Sequence, residues 1–284
     1  MTEKKPAFNI NRMNSLVKKY GAKARTEEPN AADLTALLIH SSLLYDATTE
    51  MADASMQRIR SRNVDFNEFR VNLVEEMVTT IGAKYPDGFG RMRRLRMTLF
   101  DLFRRHHRVS LEQLVGKPKR DVRIYLENLE GMRSYVVSRI MLIGFDVALV
   151  PIDQTAVDLL VHYEILPEDT KPSVVTELFA KKFKSDRARQ IHFALVAATD
   201  AFHTSGRAEE ARTTRETMKK PRGAAATSAA EHAKIAPAAK ATAAKATAAK
   251  ATAAKATAAK ATAGKAAATK TKAKPKAKAT ARTR

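Results

Sequence analysis

The chain has 284 residues and a formal charge of +21, with 51 Lys+Arg against 30 Asp+Glu. It contains no Cys, which excludes a disulfide framework, a cysteine-ligated zinc site and a cysteine-held iron–sulfur cluster. No apolar run approaches the ~18–20 residues of a membrane span, and the charged start Met1-Thr2-Glu3-Lys4-Lys5 leads into no apolar signal segment. The expectation is a soluble cytoplasmic protein with no metal site, no cofactor and no membrane partner.

Helical spacing recurs from the start of the chain to about residue 205, and strand alternation does not. Leu34, Leu37, Leu38, Ser41 and Tyr45 fall on one face, with Asn30 as the expected cap. Helices are predicted next over 51–60 and 67–81, the second stopping at Gly82. Met92, Leu95, Leu99, Leu102 and Phe103 form a clear apolar stripe. Arg91, Arg93, Arg94 and Arg96 flank that stripe, with Arg104, Arg105 and Arg108 at its far end; they read as a solvated face or as anion contacts. His106 and His107 have no partner at metal-ligand spacing and read as surface residues. Ser110 is expected to cap a short helix over 111–115 ended by Gly116, and Lys117, Lys119 and Arg120 form a small basic cluster on the loop and helix start that follow. Helices over 120–129, 134–143, 153–162, 172–182 and 186–202 complete an all-α body joined by short loops.

Charge and aromatics divide the chain. Residues 211–284 carry +17 of the charge, while all 17 aromatics lie before residue 211. The tail repeats ATAAK from Ala241 and closes with KTKAKPKAKATARTR. Successive lysines five residues apart step about 140° around a helix axis, so Lys240, Lys245, Lys250, Lys255, Lys260, Lys265 and Lys270 line no single face. With no apolar stripe to dock, the tail is expected to be disordered in isolation and to bind a polyanion, duplex DNA above all. Its composition resembles the carboxy-terminal tails of linker histones and bacterial histone-like proteins. A solubilising extension is the bland alternative, and nothing in the composition separates DNA from RNA.

The segment Leu129-Glu130-Gly131-Met132-Arg133-Ser134-Tyr135-Val136-Val137 joins two helices through a Gly turn, and Val150-Pro151-Ile152-Asp153-Gln154-Thr155 follows an apolar helix. Earlier in the chain stand Leu37-Leu38-Ile39-His40-Ser41-Ser42-Leu43-Leu44-Tyr45-Asp46-Ala47-Thr48-Thr49 and Thr80-Ile81-Gly82. In this order and spacing, over about residues 30–200, the segments resemble the helix-hairpin-helix DNA glycosylases of the endonuclease III superfamily. The resemblance implies a two-lobed helical fold. Residues 31–149 would form one lobe, and residues 1–30 would pack with 150–205 to form the other. The basic tail would occupy 206–284.

The same resemblance implies that Gly131, Met132, Arg133 and Ser134 meet a DNA phosphate at a positive helix end. It places the family's catalytic aspartate at Asp153, eighteen residues after the family's lysine position, which holds Tyr135. Tyr135 has no amine for a Schiff base, so base release would leave an intact abasic strand. Other departures weigh against chemistry. Arg133 replaces the second hairpin glycine, Glu130 the proline, Asp158 a basic residue, and Asp46 lies near the position of the gap-filling glutamine. Asp153 also reads as an ordinary helix N-cap. Two functions therefore stand open: a monofunctional DNA N-glycosylase of base-excision repair, or a catalytically inactive DNA binder acting in the nucleoid or as a repair scaffold. A fold similarity with no DNA role ranks third. The sequence leaves the oligomeric state open.

Overall fold

The computed structural model describes residues 8–219, which form twelve α-helices and one 3-10 turn; no strand occurs among the described residues. The tail lysines Lys240 to Lys270, and with them the expectation of tail disorder, lie outside the described residues. No helix among them is long and apolar enough to cross a membrane.

Short polar side chains start several of the helices. Asn9 caps α1 (Ile10–Gly21), Asp33 caps α2 (Leu34–Leu44), Thr48 caps α3 (Thr49–Arg62) and Asp65 caps α4 (Phe66–Val71). Asn30, the cap expected for α2, instead hydrogen-bonds through its side chain to Glu28 and Arg60, and Asp33 takes the amides of Thr35 and Ala36. The single helix expected over 67–81 is two, α4 and α5 (Val74–Ile81). Asn72 and Leu73 turn extended between them because the Glu76 carboxylate takes the Leu73 amide and Arg96 Nε holds the Asn72 carbonyl. The helix expected at 111–115 is a 3-10 turn, Glu112–Leu114, with Ser110 Oγ accepting from the Glu112 amide.

Helices α6 (Gly88–His106), α7 (Lys119–Glu127), α8 (Ser134–Phe145), α9 (Gln154–His162), α10 (Pro172–Lys182) and α11 (Ser185–Thr204) follow. The body continues past residue 206. Helix α12 (Arg207–Lys219) buries Ala208, and Asp158 of α9 accepts both contacts of Arg215 at 2.7 and 2.8 Å. Its sequence, RAEEARTTRETMK, offers too little apolar surface to be read as part of a core.

Two hydrophobic clusters organise these helices. One gathers α2 through the first turns of α8, around Leu37, Phe69, Leu99 and Ile140. The other joins α1, through Met13 and Leu16, to Val150, Leu160, Phe179 and Ile191 of the later chain. Helix α8 serves both, since Met141 belongs to the first cluster and Leu142 to the second. Helix α2 is apolar on nearly every side and is accordingly buried on nearly every side.

Candidate nucleic-acid interface

The hairpin between α7 and α8 is held from below by α6. Gly131 adopts φ +76°, and a Cβ there would collide with the Arg94 carbonyl, so both backbone conformation and close approach require glycine. Thr98 Oγ1 donates to the Glu130 carbonyl at 2.7 Å, and the buried Asp101 carboxylate accepts from the Glu130 amide at 3.1 Å. Arg104 and Arg105 close on Asp101, and Arg105 also donates to the Asn128 carbonyl. Burial works to raise the Asp101 carboxyl, but Arg105, the Glu130 amide and Arg104 outweigh it and hold it below its usual value. Asp101 and Thr98 were not legible as hairpin supports, because in sequence they stand inside a helix whose stripe already accounts for its apolar face.

The hairpin presents the start of α8. Arg133 occupies the N-cap position without a side-chain cap bond, and Ser134 is exposed. The first amides of α8 are thus left to solvent or to an anion. The Arg133 guanidinium stands 4.2 Å over the Tyr45 ring, with one nitrogen 3.5 Å from Asp87. Met132 is partly buried against the first core. Glu130, the acidic substitution in the turn, faces Arg104 at 3.1 Å, so its charge is locally offset.

The basic residues divide sharply. Arg91 is buried and donates to the carbonyls of Ser42 and Leu43, closing the end of α2; it is a structural residue, not an anion contact. Arg93 and Arg94 are exposed, and their side chains have no partner among the described residues. Lys117, Lys119 and Arg120 are exposed, yet they sit at the opposite end of α7 from the Gly131 turn, roughly 13 Å along a nine-residue helix. Lys119 donates there to the Asp146 carbonyl beyond the end of α8. The hairpin and this cluster therefore do not form one patch. His106, expected at the surface, is half-buried and hydrogen-bonded to the Tyr125 hydroxyl at 2.8 Å.

Asp153 and Tyr135 do come together, but as buried groups. Tyr135 packs edge-on against Tyr45 at 5.5 Å between ring centroids, and burial first, then the Asp153 charge, pushes its hydroxyl far up. Asp153 is 8 % exposed. One carboxylate oxygen caps α9 through the Ala156 amide at 2.8 Å, and the other accepts from the Asp46 amide at 3.1 Å. Asp46, in the left-handed region at φ +47°, returns the contact by accepting from the amide and hydroxyl of Thr155, both at 3.1 Å. Two carboxylates thus lock the end of α2 to the start of α9. Burial, then the Asp46 charge, raises the Asp153 carboxyl to about 7, against the pull of its amide donors.

This pair has a measurable consequence. Asp153 ionises near pH 4 when unfolded and near 7 when folded, so the native state holds the extra proton between those values. Stability from this pair should therefore fall as pH rises from about 4 to 7. Asp46→Asn keeps an acceptor for Thr155, suits the left-handed backbone and removes the like charge. It is expected to raise stability at pH 8 by about 1 kcal/mol, with a smaller gain at pH 4. Denaturant unfolding at the two pH values checks this; a loss at pH 8 would refute it.

A cavity of about 480 Å³ lies between α2, α3, α8 and α11, with Glu28, His40, Arg139 and His192 in its wall; Asp153, Asp46 and Tyr135 do not line it. Arg139, one turn beyond Tyr135, is fully buried. It pairs with Glu28 and donates to Ser41 Oγ at 2.9 Å, His40 Nδ1 at 3.2 Å and His192 Nε2 at 3.3 Å. A guanidinium only donates, so both ring nitrogens facing it must accept. Burial, then the Arg139 charge, pushes His192 well below its usual value.

No protein-family model and no curated protein sequence matches the chain. Among solved structures it is similar to a thermostable thymine-DNA glycosylase, with 16 % identity over 67 % of this chain and 87 % of that one and a TM-score of 0.47. It is also similar to the H. pylori 3-methyladenine DNA glycosylase MagIII bound to 1,N6-ethenoadenine, with 14 % identity over 69 % and 97 % and a TM-score of 0.49. A trapped endonuclease III–DNA covalent intermediate aligns over 66 % of this chain and 82 % of its own at 13 % identity and a TM-score of 0.52. The all-helical arrangement of the described residues is thus the fold of the endonuclease III-type DNA glycosylases.

Proposed function

We propose that this protein binds DNA on a glycosylase-type scaffold without excising bases, with its charge-rich tail as the main source of affinity and with the nucleoid or a repair assembly as its place of action. The observation that carries this reading is the state of Asp153. Both of its oxygens accept from main-chain amides, a second carboxylate stands beside it, and it does not line the cavity of about 480 Å³. A carboxylate in that position ties two helices together; burial and two main-chain donors fix its orientation on those amides instead of towards a sugar. The binding half of the reading rests on the uncapped start of α8 behind the Gly131 turn, where amides and a positive helix end suit a phosphate.

A second reading, the monofunctional glycosylase, is favoured by the Asp153 carboxyl near 7 beside a tyrosine at the lysine position. On that reading release would grow as Asp153 ionises above pH 7. The experiment is incubation of the full chain with duplexes carrying a panel of damaged or mismatched bases at pH 6 and pH 8, followed by alkali to reveal abasic sites. The expected result is no release at either pH and no adduct trapped by borohydride. Release that rises with pH and vanishes in Asp153→Asn would establish the second reading. For the binding half, Ser134→Glu places a carboxylate at the start of α8, where it favours the helix and repels a phosphate. Duplex affinity is expected to fall severalfold with the fold unchanged.

A further inference from the structure

Helix α6 shows the solvent a face that its packing role does not explain. Phe89, Met97 and Phe100 are 55, 40 and 37 % exposed and recur about every helical turn or two, with Arg93 and Arg96 between them. Together with Val74 of α5 and Glu130 of the hairpin they line a groove of about 620 Å³. The Phe100 ring already carries cations, with the Arg70 and Arg96 guanidiniums each 4.6 Å from its centroid, whereas the Phe89 ring has none over it among the described residues. Arg70 Nε is buried with no hydrogen-bond partner among the described residues. The one acid in the groove, Glu130, is already paired with Arg104. An exposed aromatic ring beside Arg93, whose side chain has no partner among the described residues, matches a polyanion whose units carry flat rings.

We propose that this groove binds a single strand of nucleic acid, with a base stacked on Phe89 and phosphates against Arg93. The proposal deepens the DNA-binding reading and rests on it for its geometry. Glu130 of the hairpin lines the groove, and the carbonyl of Arg94 lies directly under Gly131. A duplex engaged at the start of α8 would therefore send an unpaired extension onto α6. Base–aromatic stacking is tolerant of sequence, so the groove would favour single-stranded character rather than a particular base.

The test compares two labelled oligonucleotides of equal phosphate number, a blunt duplex and a duplex with a short thymidine overhang, bound to the full chain. The Phe89→Ala variant carries the same tail, so the change in the affinity ratio of the two oligonucleotides on mutation isolates the groove. The expected result is a roughly tenfold preference for the overhang, lost in Phe89→Ala while blunt-duplex affinity is unchanged. Iodouracil in the overhang should photocrosslink to Phe89 of the unmutated protein. Equal affinity for the two oligonucleotides, an equal loss on both, or a crosslink elsewhere overturns the proposal. A Phe89-dependent dimer in sedimentation also overturns it, by assigning the face to a second copy. Blunt-duplex affinity unmoved by Ser134→Glu beside an intact overhang preference would fault the hairpin reading and leave the groove standing.

Discussion

Arg139→Met is expected to remove about 3–5 kcal/mol of folding stability, a large share of the ~5–15 kcal/mol that holds a domain together. Methionine fills much of the same volume, so the loss is electrostatic rather than a cavity. The Glu28 carboxylate is buried, and burial alone would raise it. The Arg139 charge first, helped by hydrogen bonds from Asn30, reverses that and holds it below its ordinary value. In the variant the carboxylate keeps its burial and loses its main counter-charge. Ser41 Oγ and the facing nitrogens of His40 and His192 lose their donor in the same step.

The sign of the pH response separates this account from simple misfolding. In the unmutated chain the Glu28 contribution is present above about pH 4.5 and is lost as pH falls through its lowered folded value. In Arg139→Met the Glu28 value rises instead, so the deficit should shrink as pH drops from 7 towards 5. Adding Glu28→Gln to Arg139→Met should restore much of the loss at pH 7. Urea unfolding of the three variants at both pH values is the measurement. A deficit under about 1 kcal/mol, or one that grows on acidification, would contradict the buried-pair assignment.

Ending the chain at Lys219 is expected to lower duplex affinity by about 10³-fold or more at low salt and to flatten its salt dependence. Residues 220–284 hold 16 Lys+Arg and one acidic residue, Glu231. Each phosphate neutralised releases condensed counterion, with a slope of about −0.9 in log K against log salt. Engagement of six to ten tail cations would cost about 10³–10⁵ in affinity between 50 and 200 mM salt. The truncated chain retains the hairpin and the α6 arginines, so it should bind weakly with a slope of only a few units. Titrations at several salt concentrations compare the slopes directly. A truncated chain that binds as tightly, with the same slope, would place the affinity in the helical body.

Much of this protein was legible without coordinates. Helical periodicity sufficed for an all-α body, because one-sided apolar spacing is a local property of the chain. The motif order from Leu37 to Thr155 pointed to the glycosylase-type fold, because hairpin glycine and helix starts are written in short segments. Gly131 could be singled out, since a tight turn between helices leaves few other residues. Charge placement separated the tail, since composition needs no partner to be read.

What tertiary structure decided was every question of who meets whom. Asp153 was legible equally as a catalyst or as a cap. Only the 107-residue separation closed by the Asp46 amide shows its second oxygen occupied. Arg91 and Arg93 look alike in sequence, yet one is buried on α2 carbonyls and the other is exposed beside an aromatic groove. Lys119 lies close to the hairpin in sequence and at the far end of α7 in space. Arg139 carried no signal at all, because a basic residue in an apolar helix reveals its role only when Glu28, from 111 residues away, folds against it. Helix α12 escaped notice for the same reason. Ala208 and Arg215 acquire meaning from a neighbouring surface, and periodicity records a helix's own faces, not the ones it will meet.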